Sequence, residues 1–284
     1  MSIRREGWLE LHAADSGMII IKIGGSVIHD LNPSAIPDIK ELFSTEKLML
    51  VHGGGNEVTD TAVKRGKEQK FVISPGGVKS RYTDKETAEI YTMVMSGKIN
   101  KAIVKLFSQH GIKAAGISGV DGNLIRASRK KKLVILNEKG RRMTIEGGFT
   151  GRIYAVDSSL PNALVDNGFL PIVSPVALSE EFDFLNVDGD RAAAHLAAGV
   201  GANKVIFLTN VEGLILDGGL VPHMTLEEAK AIIPRIGFGM EKKVFACTEA
   251  LERGVEEAII GSGKVAAPLS SALKHDNCTV ISKT

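Results

Sequence analysis

Met18-Ile19-Ile20-Ile21-Lys22-Ile23-Gly24-Gly25-Ser26 decides how this chain is read. A short continuous apolar run reads as a buried strand. Glycines directly after it leave backbone N–H groups open to an approaching anion, with no Cβ in the way. Glycines in that place are otherwise a plain turn, but Lys22 tells against the plain reading. It stands inside the apolar run, where an ammonium without a partner is costly to bury. The pattern returns in Leu48-Met49-Leu50-Val51-His52-Gly53-Gly54-Gly55. A helix starting beyond each loop would aim its positive N-terminal end at the same space. Two such loops on neighbouring parallel strands would cradle phosphate, with Lys22 as a mobile charge. The expectation is phosphoryl chemistry.

Further strand-like runs follow at 47–51, 113–117, 170–176, 204–208, 256–260 and 278–282, with helical patterns between them, notably at 87–110 and 190–198. This alternation predicts an α/β fold: a three-layer αβα sandwich around a central, mostly parallel sheet. Between about 123 and 155 short β-like stretches separated by charged turns read as hairpins projecting over the sheet's edge. The 284 residues suit one large domain or two closely packed lobes.

Lys and Arg number 35 against 33 Asp and Glu, a net +2, so no global field favours nucleic acid or a membrane surface. No apolar run approaches the roughly 20 residues that span a bilayer. Cys247 and Cys278 lack metal spacing and are too few for a disulfide scaffold, so a reducing cytoplasm is expected. Residues 1–17 are polar and read as an N-terminal extension or a misplaced start.

Two motifs fail on inspection. His52-Gly53-Gly54-Gly55 is similar to an esterase oxyanion loop, but no serine has the flanking glycines of a nucleophile elbow. Gly261-Ser262-Gly263-Lys264 suggests a Walker A loop, yet Ala258 and Val265 stand where its first glycine and its hydroxyl residue belong. It reads as a turn after a strand. The seven histidines are scattered without metal spacing, and no metal ligands are assigned.

Three later segments are individually bland. Asn186-Val187-Asp188-Gly189-Asp190 could be a helix cap, Gly239-Met240-Glu241-Lys242-Lys243 a solvated basic turn, and Arg81 an ordinary surface residue. Taken in order with the two glycine loops, they resemble the amino acid kinase family, and within it the acetylglutamate kinase branch. That branch carries a lysine before Gly-Gly, then His-Gly-Gly-Gly, an arginine near Thr-Asp, Asn-x-x-x-Asp and Gly-Met-x-x-Lys. The match runs from Met18 to about Ser282. Ser80-Arg81-Tyr82-Thr83-Asp84, Gly148-Phe149-Thr150-Gly151, Thr209-Asn210-Val211-Glu212-Gly213 and the basic run 126–132 narrow it to one sub-branch. Its members phosphorylate 2-aminoadipate or glutamate attached to a small acidic amino-group carrier protein of the LysW type.

The resemblance implies ATP-dependent phosphorylation of a side-chain carboxylate, with ATP carried as its Mg²⁺ complex. It gives Lys22 and Lys243 the role of stabilising the transferring phosphoryl, with Asp190 orienting both. Gly24, Gly25, Asn210 and Gly213 fall on the nucleotide side. Gly54, Gly55, Arg81 and Asn186 fall on the substrate side, Arg81 pairing with the α-carboxylate and Asn186 with the amide. It further implies one kinase domain over 18–284, its N-terminal half on the substrate and dimer side and its C-terminal half on the nucleotide side. A homodimer is expected, with 87–110 a candidate contact.

Arg126, Arg129, Lys130, Lys131 and Lys132, with a second cluster at Lys64, Arg65, Lys67 and Lys70, would suit an acidic protein partner through steering. The alternatives are a kinase of free N-acetyl-L-glutamate, and a silent amino-acid-sensing scaffold on the same fold. Retention of Lys22, Asp190 and Lys243 counts against the scaffold. Aminoadipate and glutamate differ by one methylene, worth about 1–3 kcal/mol in a pocket, so lysine and arginine synthesis both stay open.

Overall fold

A computed structural model describes residues 17–284 except Ser26, Val78 and Phe238. All but the last residue of the expected N-terminal extension lies outside the described residues. Eight strands form the main sheet, in the order His223–Thr225, Cys278–Ser282, Glu257–Ser262, Lys204–Thr209, Ile19–Ile23, Leu48–His52, Leu170–Ser174 and Ala114–Ser118. The six from Glu257–Ser262 onward run parallel to their neighbours. Cys278–Ser282 is antiparallel to them, and the short His223–Thr225 strand pairs with it. Every strand run expected from sequence lies in this sheet. The strand at 223–225 escaped notice because its three residues carry no periodic signal.

Side chains alternate across a strand, and this sorts the first strand between two cores. Ile19, Ile21 and Ile23 pack with Ile36, Ile39, Ile103 and Phe107 on one face. Ile20 faces the other way, among Ala192, Ala193, Leu196, Val244 and Cys247. Each isoleucine buried this way contributes about 1.5–3 kcal/mol relative to exposure. The same alternation turns Lys22 onto the Ile20 face. That face is covered by two helices, Gly189–Gly199 and Met240–Glu252. Ala192, Ala193, Ala194 and Ala197 are buried, and their small side chains let the first of these helices lie close on the sheet.

The expected 87–110 helix spans Lys85–Gln109, but it is interrupted. It is capped by Asp84, whose carboxylate accepts from Thr87 N at 2.8 Å. It is α-helical to Thr92, widens into a π-helix over Met93–Ile99, and resumes as α-helix over Asn100–Gln109. Apolar periodicity does not reveal such a widening. The expected hairpin region supplies half the strands of two small four-stranded sheets, and segments on either side of it in the chain supply the rest. One joins Phe184–Asn186, Val176–Leu178, Ile125–Arg129 and Gly151–Val156; the other joins Lys79–Arg81, Phe71–Ile73, Lys132–Leu136 and Arg142–Glu146.

One expectation needs correction. An α-helix begins at once after the second glycine loop, with Gly55, but not after the first. There the chain makes a short 3₁₀ turn, Val27–His29, and the α-helix waits until Ala35. The first loop therefore presents its backbone without an α-helix terminus behind it. Among the described residues no helix is long and apolar enough to cross a membrane.

Candidate active site

Lys22 projects from the end of its strand toward the first turn of the Gly189–Gly199 helix. Its ammonium lies 2.6 Å from Asp190 Oδ1, as an ion pair without hydrogen-bond alignment. Lys243, in the first turns of the Met240–Glu252 helix, donates to the other oxygen, Oδ2, at 3.2 Å. The side chains of Lys22 and Asp190 are each 8% exposed, and that of Lys243 is 19% exposed. Burial by itself would raise the Asp190 carboxyl pKa, but the two ammonium groups outweigh it and hold the carboxyl below its ordinary value. Two cations share one anion, so the cluster keeps an uncompensated positive charge in a poorly solvated place. Breaking a buried pair is far costlier than forming it is favourable, and the surplus charge makes the place suited to a further anion.

The two glycine loops meet beside this cluster. A Cβ on Gly25 would lie 2.5 Å from Gly54 N, and one on Gly53 would lie 2.8 Å from Gly25 N. Any side chain at either position would force the loops apart. Gly54 is closed from the other side by the π-helix, since its Cβ would meet Ile99 Cδ1 at 2.2 Å and Met95 Sδ at 2.8 Å. Gly55 faces open space and starts the next helix. Among the described residues, the N–H groups of Gly24, Gly25, Gly54 and Gly55 have no hydrogen-bond acceptor within the chain. Unpaired N–H groups of this kind, at the carboxyl ends of parallel strands, form an anion-binding concavity. The neighbouring strands Ile19–Ile23 and Lys204–Thr209 send their chains off to opposite sides, and open α/β sheets bind ligands at such a divide.

Arg81 borders the second glycine loop, and Asn186 is joined to the Arg81 segment through Thr83. The Arg81 guanidinium donates to Gly55 O at 2.7 Å, to Thr59 Oγ1 at 2.9 Å and to Gln69 Oε1. It also lies over the Phe71 ring, 5.2 Å from the centroid. Asn186 donates from Nδ2 to Thr83 Oγ1 at 3.0 Å. Thr83 is fully buried, and its carbonyl accepts from Phe149 N at 2.6 Å. Thr83 thus ties the Arg81 strand to Asn186 and to Gly148-Phe149. Lys242 Nζ donates to Lys79 O at 3.1 Å, which joins the Met240–Glu252 helix to the same hairpin.

A family model described as the amino acid kinase family matches residues 17–262. The chain belongs to the amino acid kinase family. A provisionally named LysW-aminoadipate/LysW-glutamate kinase of Nitrosopumilus maritimus is 60% identical over 264 residues, covering 93% of this chain and 99% of that protein. The LysW-aminoadipate/LysW-glutamate kinase of Saccharolobus islandicus is 43% identical over 265 residues, with the same coverage of 93% and 99%. Among solved structures, smu.665 from Streptococcus mutans superposes with a TM-score of 0.76 at 21% identity, covering 94% of this chain and 99% of that one. That likeness shows that the two chains share one fold over nearly their whole length.

On the side expected to hold the nucleotide, this kinase-family chain separates two residues that sequence grouped together. Asn210 is exposed at the carboxyl end of the Lys204–Thr209 strand. Gly213 is buried, and a Cβ there would meet Thr279 Oγ1 at 2.5 Å, so close packing accounts for this glycine. Among the described residues no group of three or more His, Cys, Asp and Glu side chains could hold a metal ion.

The basic run divides in the same way. Arg129 donates from Nε to Gly148 O at 2.6 Å and stacks on Phe149, 4.0 Å from the ring centroid. Lys130 is half-buried, with a pKa lowered by burial and by the positive charge of Arg191 and Arg152. Lys131 and Lys132 are exposed. In the second cluster, Lys67 is paired with Asp84 and Glu86 at 2.8 and 2.7 Å.

Sequence reading gave no role of its own to His52, Asn100 or the Arg191–Glu249 fork. The fork makes two hydrogen bonds of 2.7 and 2.6 Å and locks together the two helices that carry Asp190 and Lys243. For His52 a signal existed. It is a polar residue closing an apolar run, as Lys22 is a charged residue within one.

Proposed function

We propose that this chain is an ATP-dependent carboxylate kinase. It phosphorylates the side-chain carboxylate of 2-aminoadipate or glutamate while that amino acid is held on a small acidic carrier of the LysW type. The observation that carries the phosphoryl-transfer reading is Asp190 gripped by Lys22 and Lys243 beside two interlocked glycine loops. The carrier-bound substrate is supported by the names of the relatives, which match over nearly their whole length.

A carboxylate is already an anionic nucleophile, so no general base is needed. The work is to hold two anions in line and to neutralise charge on the transferring group. A bond forms between a carboxylate oxygen and the γ-phosphorus as the bond to the bridging oxygen of ADP breaks, and no proton moves. Lys22 and Lys243 stabilise the charge that develops on the phosphoryl oxygens. Asp190 holds the two ammonium groups at fixed separation. Gly24 and Gly25 offer N–H groups to ATP phosphates, and Gly54 and Gly55 offer theirs at the reacting carboxylate. The unpaired N–H groups and the closeness of the loops fit a polyphosphate. Mg²⁺ bound with ATP would supply further neutralisation of its phosphates, held chiefly by phosphate oxygens.

Arg81 reaches the α-carboxylate by leaving Gly55 O, and its planar fork suits that group. Asn186 holds the amide that replaces the α-amine. Asn210 borders the nucleotide. The enzyme works in the cytoplasm as a homodimer joined through the 85–109 helix, and it serves lysine synthesis, arginine synthesis or both.

The test is acyl-phosphate trapping with hydroxylamine, together with ADP release. Carrier-linked aminoadipate, carrier-linked glutamate and free N-acetyl-L-glutamate are compared under one set of conditions. Hydroxamate should form on the carrier-linked substrates and only weakly from the free one. Preferred turnover of free N-acetyl-L-glutamate would overturn the carrier assignment.

A further inference from the structure

Beneath the second glycine loop lies a closed polar network that the chemistry above does not use. His52 is fully buried at the end of its strand. Its Nδ1 lies 3.0 Å from Gly53 O, and its Nε2 lies 3.3 Å from Asn100 Nδ2. Asn100, also fully buried, stands where the π-helix returns to α-helix. The orientation of its amide is forced by its neighbours. Nδ2 faces the carbonyls of Ile172 at 2.8 Å and Ile117 at 3.3 Å, while Oδ1 accepts from Lys101 Nζ at 3.1 Å. The atom facing His52 is therefore the NH₂ donor. A donor against Nε2 requires a bare Nε2, and in a neutral ring the proton then sits on Nδ1, aimed at Gly53 O. Burial, with Lys22 and Lys101 nearby, lowers the imidazole pKa to about 4, so the ring is neutral at working pH.

The consequence runs through one peptide plane. Every peptide bond among the described residues is trans. In a trans peptide the C=O and the following N–H point in opposite directions. With Gly53 O drawn to His52, the Gly54 N–H on the same peptide turns away from it. Gly54 N lies against Gly25, is buried, and has no acceptor among the described residues. A buried N–H without a partner is costly unless a ligand completes it.

We propose that His52 is a positioning residue, whose Nδ1–H fixes the Gly53–Gly54 peptide so that Gly54 N–H faces the reacting anion. This rests on the reading that the glycine loops hold the transferring phosphoryl and its acceptor. Glycine leaves this peptide free to rotate, so something outside the loop must set its plane, and a Cβ-bearing residue does not fit. The π-helix closes on Gly54 from the far side, and Asn100 at its end fixes the tautomer.

The test uses two variants and one spectroscopic measurement on the full chain. His52→Asn keeps an N–H donor near the Nδ1 position; His52→Leu removes it. Both are first checked for a cooperative thermal transition. His52→Leu should lower kcat by about 10-fold or more, in line with losing the aim of an oxyanion donor, while the KM for ATP changes little. His52→Asn should recover most of the loss. Equal losses in the two variants would overturn the proposal. Independently of any substrate, ¹⁵N NMR of the wild-type imidazole should show a protonated Nδ1 and a bare Nε2 from pH 6 to 8. A proton on Nε2, or titration near the ordinary histidine value, would refute the lock even if the kinase turns over. Absence of wild-type turnover on every substrate would instead refute the functional reading and leave the NMR result standing.

Discussion

The centre and the rim of this molecule are both basic, and they use charge in opposite ways. At the centre, Lys22 and Lys243 come from a strand and a helix, are largely withdrawn from water, and converge on one carboxylate. At the rim, Lys131 and Lys132 stand exposed where the Ile125–Arg129 strand turns toward the Lys132–Leu136 strand. Charge at the centre is fixed in position and weakly screened, which suits it to the transition-state role proposed above. Charge at the rim is solvated and screened over a Debye length of about 8–10 Å, which suits it to steering the encounter with the proposed carrier. What separates these cations is their element and their burial, not their place in a basic run.

The largest expected effect is at the centre. Lys22→Ala and Lys243→Ala should each lower kcat by about 100-fold or more, as for other preorganised electrostatic groups. Steady-state kinetics on folded variants decides this, and near-normal turnover in either would remove that lysine from the chemistry. Arg81→Lys comes next. It should raise the KM for the amino-acid substrate roughly 10-fold or more, because an ammonium lacks the bidentate fork, and leave ATP affinity nearly intact. Calorimetric titration with an ATP analogue and with substrate checks it. Equal losses for both ligands would make Arg81 a structural residue.

Stability offers a third break between the regions. The His52 pKa falls from 6.5 unfolded to about 4 folded. The unfolded chain therefore binds the extra proton between these values, and stability from neutral His52 is whole above pH 6.5 and lost as pH falls toward about 4. The shift corresponds to on the order of 3 kcal/mol across that window. Glu249 behaves likewise at lower pH, its carboxyl held at about 2 by His195 and Arg191 against the effect of burial. Denaturant titrations at several pH values should show the slope between pH 6.5 and 4 flatten in His52→Asn. An unchanged slope would mean that another group carries the acid sensitivity. The smallest effect is at the rim. Serine at both Lys131 and Lys132 should raise the KM for carrier substrate a few-fold at low salt and blunt its salt dependence, with kcat unchanged. Identical salt responses in variant and wild type would make these lysines a solvated face.

What was legible in the sequence divides along the same line. Strands ending in glycines, and a lysine inside an apolar run, are local signals that burial writes directly into residue order, so the sheet and Lys22 could be read. The convergence of Asp190 and Lys243 on Lys22 could not be read from any local pattern, because it depends on two helices crossing one face of the sheet. It was reached only through resemblance. The run 126–132 looked uniform because sequence does not record that Arg129 stacks on Phe149 or that Lys130 is half-covered. The π-helix stayed hidden because Met95 and Ile99 fit an ordinary helical period, and the widening lies in the backbone hydrogen bonds, where Asn100 N–H reaches back to Met95 O. Gly213 looked like a ligand loop residue, yet its small size is explained by Thr279 and Leu220 beside it.

On the proposed mechanism Asp190 acts through the two lysines and has no separate part in the reaction. A mutant cycle tests it directly: Asp190→Asn, Lys22→Ala with Lys243→Ala, and the three changes together, each measured for single-turnover rate at saturating ATP and carrier substrate. Groups that act as a unit are strongly non-additive. Asp190→Asn should cost about 100-fold in the wild-type background and less than about threefold once both lysines are gone. A full, additive loss in the lysine-free background would contradict the account and give Asp190 a role of its own.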